Sequence, residues 1–118
     1  MKKFVVMAVA TLLGAAAANA LAADVVGNAS AGAGKAAMCI GCHGIAGYRT
    51  AYPETYEVPM LGGQNHKYLE NALYEYKKGD RKFQTMRAIA ASLTDQDIAD
   101  LAAYYATQTA ATPANPYK

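Results

Sequence analysis

Tryptophan is absent from this 118-residue chain, and from Ala23 onward Phe83 is the single phenylalanine. The same stretch holds sixteen Leu, Ile, Val, Met and Phe residues together, with alanine and tyrosine supplying much of the remaining apolar content. Alanine buries little area, so side chains alone furnish a thin core for a domain this small. The alternation of a half-buried strand is missing, as are internal repeats and long low-complexity linkers, which argues against a sheet-built or repetitive architecture. An excess of either charge is lacking too. Once Lys2 and Lys3 are set aside with the leader described below, nine basic and nine acidic side chains remain. That balance carries no electrostatic footprint of a nucleic-acid partner. Cysteine occurs twice and histidine twice, and one C-x-x-C pair closes too short a loop to staple a domain.

What is present begins with a leader. Lys2 and Lys3 form a short basic region, the run from Phe4 to about Ala17 is uncharged and apolar, and small residues follow. A-x-A ends occur at Ala18-Asn19-Ala20 and at Ala20-Leu21-Ala22. This is the layout of a secretory signal peptide, residues 1–22, cleaved near 20 or 22. The apolar run falls short of the roughly 20 residues that a spanning helix needs. No cysteine lies near the cleavage region to take a lipid, and no second membrane segment follows, so stable membrane insertion after cleavage is not expected. The mature chain works outside the cytoplasm as one domain, residues 23–110, with a proline-containing tail at 111–118.

The mature chain reads as short helices and loops, an all-α class. Ala29 to Ile40 is alanine-rich and helix-compatible despite Gly32 and Gly34, with Asn28 or Ser30 to cap it. Residues 44–64 hold four glycines and two prolines, a density that predicts a long ordered loop. From Asn65 the pattern turns helical. Tyr68, Leu69, Ala72, Leu73 and Tyr76 share one face, Lys67, Glu70, Glu75 and Lys78 the other, and Gly79 ends the helix. A shorter helix is expected over 85–91. The last begins after Thr94, with Asp95 and Asp97 suited to the positive end of the helix dipole and an apolar stripe of Ile98, Leu101, Ala102 and Tyr105.

Both cysteines and one histidine fall in a single heptapeptide, Met38-Cys-Ile-Gly-Cys-His-Gly44. A redox dithiol of the thioredoxin kind would sit near a βαβ pattern, which is lacking, and would leave His43 unexplained. A structural zinc site needs four ligands; beyond these three the only other imidazole is His66, which leaves the set one short unless a carboxylate joins. Covalent haem accounts for every position. Two thiols three residues apart, Cys39 and Cys42, form thioethers with the two vinyl groups of one porphyrin, and His43 presents its imidazole to the iron. Export agrees, since c-type haem is attached outside the cytoplasm in bacteria. A large apolar cofactor would also fill the thin core.

The far side of the iron decides the chemistry. An open site binds gases or peroxide; a second strong ligand leaves electron transfer, and a methionine thioether raises the potential. Met60, Met86 and His66 are the candidates, because Met38 adjoins Cys39 on the attachment side. Met60 lies in the breaker-rich loop, and Met86 begins a later helix. Spacing alone leaves the three open, and each methionine could equally fill core space.

CIGCHG, then VPMLGGQNHKYLENALYEYKKGDR, then TMRAIAASLTDQDIADLAAYYATQ resembles a single-domain class I cytochrome c of the c4/c553 type, from about Ala33 to Gln108. The resemblance implies short helices wrapped around one covalent haem c, His/Met ligation, and one-electron shuttling in the bacterial periplasm, a carrier and not an enzyme. The family's axial methionine precedes the L-[ST]-D helix start by about seven residues, which is Met86 here, and Met60 occupies a variable position. A proline carbonyl accepts a bond from the proximal imidazole in related proteins, and Pro59 matches it. The helix before Cys39 is implied to cross the Ile98–Tyr105 helix. Typical c4 proteins carry two such domains, whereas this chain has one C-x-x-C-H, so one haem is expected. Partners are redox proteins whose identity the sequence does not name, and a weak homodimer stays open. Lys67, Lys77, Lys78, Arg81, Lys82 and Arg87 concentrate basic charge that could steer an acidic partner or simply form a solvated face.

Overall fold

The computed structural model describes residues 24–109; the expected leader and the expected tail at 111–118 lie outside the described residues. In chain order these residues form α1 (Ala29–Lys35), α2 (Ala37–His43), β1 (Arg49–Thr50), β2 (Tyr56–Glu57), α3 (His66–Lys78), α4 (Gln84–Ala91) and α5 (Asp95–Thr107). Helices carry the architecture, as the sequence pattern implies. The β1–β2 pair is a small antiparallel hairpin inside the segment expected to be loop, with Arg49 opposite Glu57 and Thr50 opposite Tyr56. Two-residue strands are too short to leave a period-two signature, which is why the sequence is silent on them.

Crossing of α1 over α5 builds one end of the molecule. Asn28 starts α1 by accepting the Ala31 N–H at 3.0 Å. At Gly32 a Cβ would lie 2.0 Å from the Asp100 carbonyl oxygen, so only glycine lets the backbones approach this closely. The crossing is locked by a polar knot. Asp100, 2% exposed, accepts from the Asn28 N–H (2.8 Å), Lys35 Nζ (2.6 Å) and Gln96 Nε2 (2.7 Å). Lys35 reaches Asp97 as well, at 2.8 Å. Hydrogen bonds and charge from Lys35 hold both carboxyls below the usual carboxylate range.

The predicted first helix is not continuous. It breaks at the fully buried Ala36, where bonds from Ala36 N to Ala33 O and from Cys39 N to Ala36 O tighten the turn, and it resumes through His43. α5 starts with a reciprocal capping box between Thr94 and Asp97. Asn65 caps α3, and Gly79, at φ 93°, closes it in the left-handed conformation, with its own and the Asp80 N–H bonding back to Glu75. α3 packs against both α4 and α5. The core cluster is Ala36, Leu69, Leu101, Ala102, Tyr104 and Tyr105, with Cys39, Ile40, Leu61 and Leu93 packed around it. Two expectations for α3 need correction. Glu70, assigned to the polar face, is 7% exposed beneath Lys67 and His66. Tyr68, assigned to the apolar face, is half exposed, because it sits at the rim of the cavity described next.

Candidate functional site

A spacing of three and four residues puts side chains on one helical face. In α2 this applies to Cys39, Cys42 and His43, and all three line one cavity of about 350 Å³. The break at Ala36 lets this face turn away from the direction set by α1. Most of the remaining wall is apolar: Val58, Pro59, Met60 and Leu61 from the loop, Leu69, Ala72 and Leu73 from α3, Phe83, Met86, Ile89 and Leu93 around α4, and Leu101 and Ala102 from α5. The hairpin contributes Thr50 and Tyr56. Tyr56 meets Phe83 ring to ring at 5.0 Å, which ties the hairpin to the residue just before α4.

His43 is 8% exposed, and its Nδ1 lies 2.6 Å from the Pro59 carbonyl oxygen. A carbonyl can only accept, so Nδ1 carries the proton and donates it. Nε2 is left as the ring nitrogen with a free lone pair. Burial lowers the pKa of this imidazole, and the bond to Pro59 opposes that only in part, so the ring favours its neutral, ligand-competent form.

Cys39 and Cys42 are free thiols. Burial pushes the Cys39 thiol up, with the Tyr105 hydroxyl acting in the opposite direction. A catalytic redox thiol has the reverse tuning, a lowered pKa in an electropositive and accessible place. No cluster of three or more His, Cys, Asp or Glu side chains suited to a metal ion occurs among the described residues. His66 is not in the cavity wall; it lies 3.3 Å from Glu70 and is 45% exposed. The dithiol and zinc alternatives therefore lack the surroundings they require. Paired thiols, one neutral imidazole, a thioether and an apolar wall suit a large flat apolar group held by covalent bonds and by its iron.

The structure thus brings Cys39, Cys42, His43, Pro59 and Met86 to one cavity, together with Met38 and Met60. Sequence reasoning missed the tyrosine pair around Arg81, whose guanidinium lies 5.6 Å from the Tyr68 ring and 5.5 Å from the Tyr76 ring at the cavity wall. The shared face of Tyr68 and Tyr76 is legible in the helical spacing, but the approach of Arg81, from beyond the Gly79 stop, is not. Of the basic cluster, Lys67, Lys77 and Arg81 are paired with Glu70, Asp95 and Glu75. Among the described residues no helix is long and apolar enough to cross a membrane.

Comparisons with known proteins agree with this chemistry. Residues 29–109 match the family described as Cytochrome c. Over 86 residues the chain is 41% identical to cytochrome c4 of Pseudomonas aeruginosa, covering 73% of this chain and 41% of that protein. It is also 41% identical over 87 residues to cytochrome c-554(548) of Halomonas halodenitrificans, covering 70% of this chain and 98% of that one. The crystal structure of reduced recombinant cytochrome c4 from Pseudomonas stutzeri superimposes with a TM-score of 0.59 at 36% identity, over 71% of this chain and 47% of that chain. The chain therefore spans less than half the length of the c4 proteins and almost the whole of c-554(548).

Proposed function

The chain belongs to the cytochrome c family, as a class I member of the c4 group with covalent haem c, and we propose that it is a periplasmic one-electron carrier with His43 and Met86 as axial ligands. When bound, haem c supplies a single-electron store, its iron cycling between Fe(III) and Fe(II). The residues around it do the rest. Cys39 and Cys42 anchor it through thioethers from one face of α2. His43 offers Nε2 to the iron while the Pro59 carbonyl fixes the ring's orientation and raises its basicity. Met86 offers a soft thioether that favours Fe(II) and raises the potential. The apolar wall keeps water from the ligands, so they need not change between the two states. A carrier, not an enzyme, is the role this arrangement supports, because His43 and Met86 would together hold the iron and would leave no coordination site for a substrate.

The observation that carries the reading is the 2.6 Å bond between His43 and Pro59, made by an imidazole that shares one cavity with both cysteines and Met86. Electrons would enter and leave near the α2 side, where Met38 (55% exposed) and Ile45 (48%) present apolar surface to a redox partner. With half of the basic cluster paired, steering of an acidic partner falls to Lys78, Lys82 and Arg87, and it weakens with salt. The secretory layout expected for residues 1–22 supports the periplasm as the site of action, with donor and acceptor proteins there. Spectroelectrochemical titration of the holoprotein tests the function. One reversible Nernstian wave with a slope for one electron is expected, at a potential that falls in Met86→Ala. Turnover of peroxide at a catalytic rate, or a two-electron wave, would contradict it.

A further inference from the structure

Among the described residues, one buried side-chain polar atom has no hydrogen-bond partner: the hydroxyl of Tyr105. Tyr105 is 2% exposed and belongs to the cavity wall. Its backbone is pinned, since its carbonyl accepts from the N–H groups of Gly63 (3.0 Å) and Gln108 (3.1 Å). Its ring is held edge-on to Tyr104 at 5.1 Å. The phenol therefore cannot swing out to water, and a buried hydroxyl without a partner is costlier than phenylalanine in the same place. Such an atom calls for a partner that becomes available when the cofactor is attached. Cys39 packs against the core cluster to which Tyr105 belongs, and both line the cavity; in keeping with this, each group perturbs the ionisation of the other.

We propose that the Tyr105 hydroxyl donates a hydrogen bond to the Cys39 sulfur once that sulfur is a haem thioether, and that this bond raises the reduction potential. The inference rests on the reading of Cys39 as a thioether anchor. A free thiol can donate as well as accept, and the hydroxyl makes no bond to it here. A thioether sulfur has no proton and can only accept, so haem attachment makes the pair directional. The positive end of the O–H dipole then lies beside the porphyrin substituent and favours the state with the extra electron. Hydrogen bonding around the ligands and dielectric are levers by which a protein sets such potentials. No proton is transferred and no bond is broken; the oxidation states are those of the iron alone.

The test uses the holoprotein and Tyr105→Phe, which removes only the hydroxyl. Attachment is checked first by the pyridine haemochrome spectrum. A spectrum lacking two thioethers overturns the Cys39 anchor itself, and with it the parent reading. With attachment intact, Tyr105→Phe is expected to lower the midpoint potential, so that the reduced-to-oxidised ratio at fixed poise falls about threefold to tenfold, the latter equivalent to about 59 mV. The carbon–sulfur stretch in the resonance Raman spectrum should shift in deuterated water for the native protein and not for the variant. Absence of that shift from the native protein, or a variant potential that is unchanged or higher, overturns the proposal while leaving the carrier function standing. If Tyr105→Phe fails to load haem, the Raman comparison on the native protein alone decides.

Discussion

The α1–α5 crossing and the wall formed by α2, the 58–61 loop and α4 are built on opposite principles. At the crossing, backbones touch through Gly32 and a carboxylate satisfied by three donors locks the two helices. The wall is methionine, valine and leucine facing a cavity of about 350 Å³, with the bond from His43 to Pro59 as its main polar tie. The crossing is complete with the chain's own atoms, whereas the wall is complementary to something the chain does not supply. Stability and cofactor binding are thus segregated, and α2, joined to α1 through Ala36, couples the two regions.

Substitutions can break or sharpen this contrast. The largest effect is expected from Gly32→Val, which drives a side chain into the Asp100 carbonyl and costs about 3 kcal/mol, read from urea denaturation of the holoprotein. Next is Asp100→Ala, at about 2 kcal/mol, because it removes the buried carboxylate that accepts from the Asn28 N–H, Lys35 and Gln96 together. The same knot sets a pH dependence. Asp97 and Asp100 are depressed in the folded state, so their contribution is fully present above the unfolded carboxylate value of about 3.9. It is lost as pH falls below that value through the folded-state ones. The acid limb of the stability curve should therefore flatten in Asp97→Asn, and an unchanged limb would show that the knot is not its source.

On the wall, Tyr56→Ala removes the ring contact with Phe83 and should cost about 1 kcal/mol. Its sharper signature is functional. By loosening the approach to α4 it should let the reduced protein take up some carbon monoxide, read as a shift of its optical spectrum, whereas Asp100→Ala should not. The smallest change is a gain. A Cβ added at Gly34 would meet nothing within 4 Å, so Gly34→Ala should stabilise α1 by about 0.5–1 kcal/mol in the same urea titration.

These regions also differ in how far they could be read from sequence. The chemistry of Cys39, Cys42 and His43 is local, carried by adjacent residues whose order has meaning, and so is the Thr94 cap with Asp97 three residues on. The crossing of α1 over α5 follows from an apolar stripe and the family resemblance, and Gly32, which looks like a flaw in a helix, turns out to be its contact point. Contacts between distant residues leave no such trace. The break at Ala36, the hairpin, the ring pair of Tyr56 and Phe83, and burial of Glu70 all depend on which segments meet. Spacing likewise left Met60, Met86 and His66 open; the fold leaves His66 out of the cavity wall and keeps both methionines in it.

Ligation of the iron by Met86 is the claim on which the carrier function turns, and optical spectra of the oxidised and reduced holoprotein, with and without carbon monoxide, test it most directly. The native protein should show the weak far-red band of methionine bound to Fe(III) and no carbon monoxide shift when reduced. That band should vanish in Met86→Ala and survive in Met60→Ala. Ready carbon monoxide binding by the native protein with the band missing, or loss of the band in Met60→Ala alone, would contradict the account.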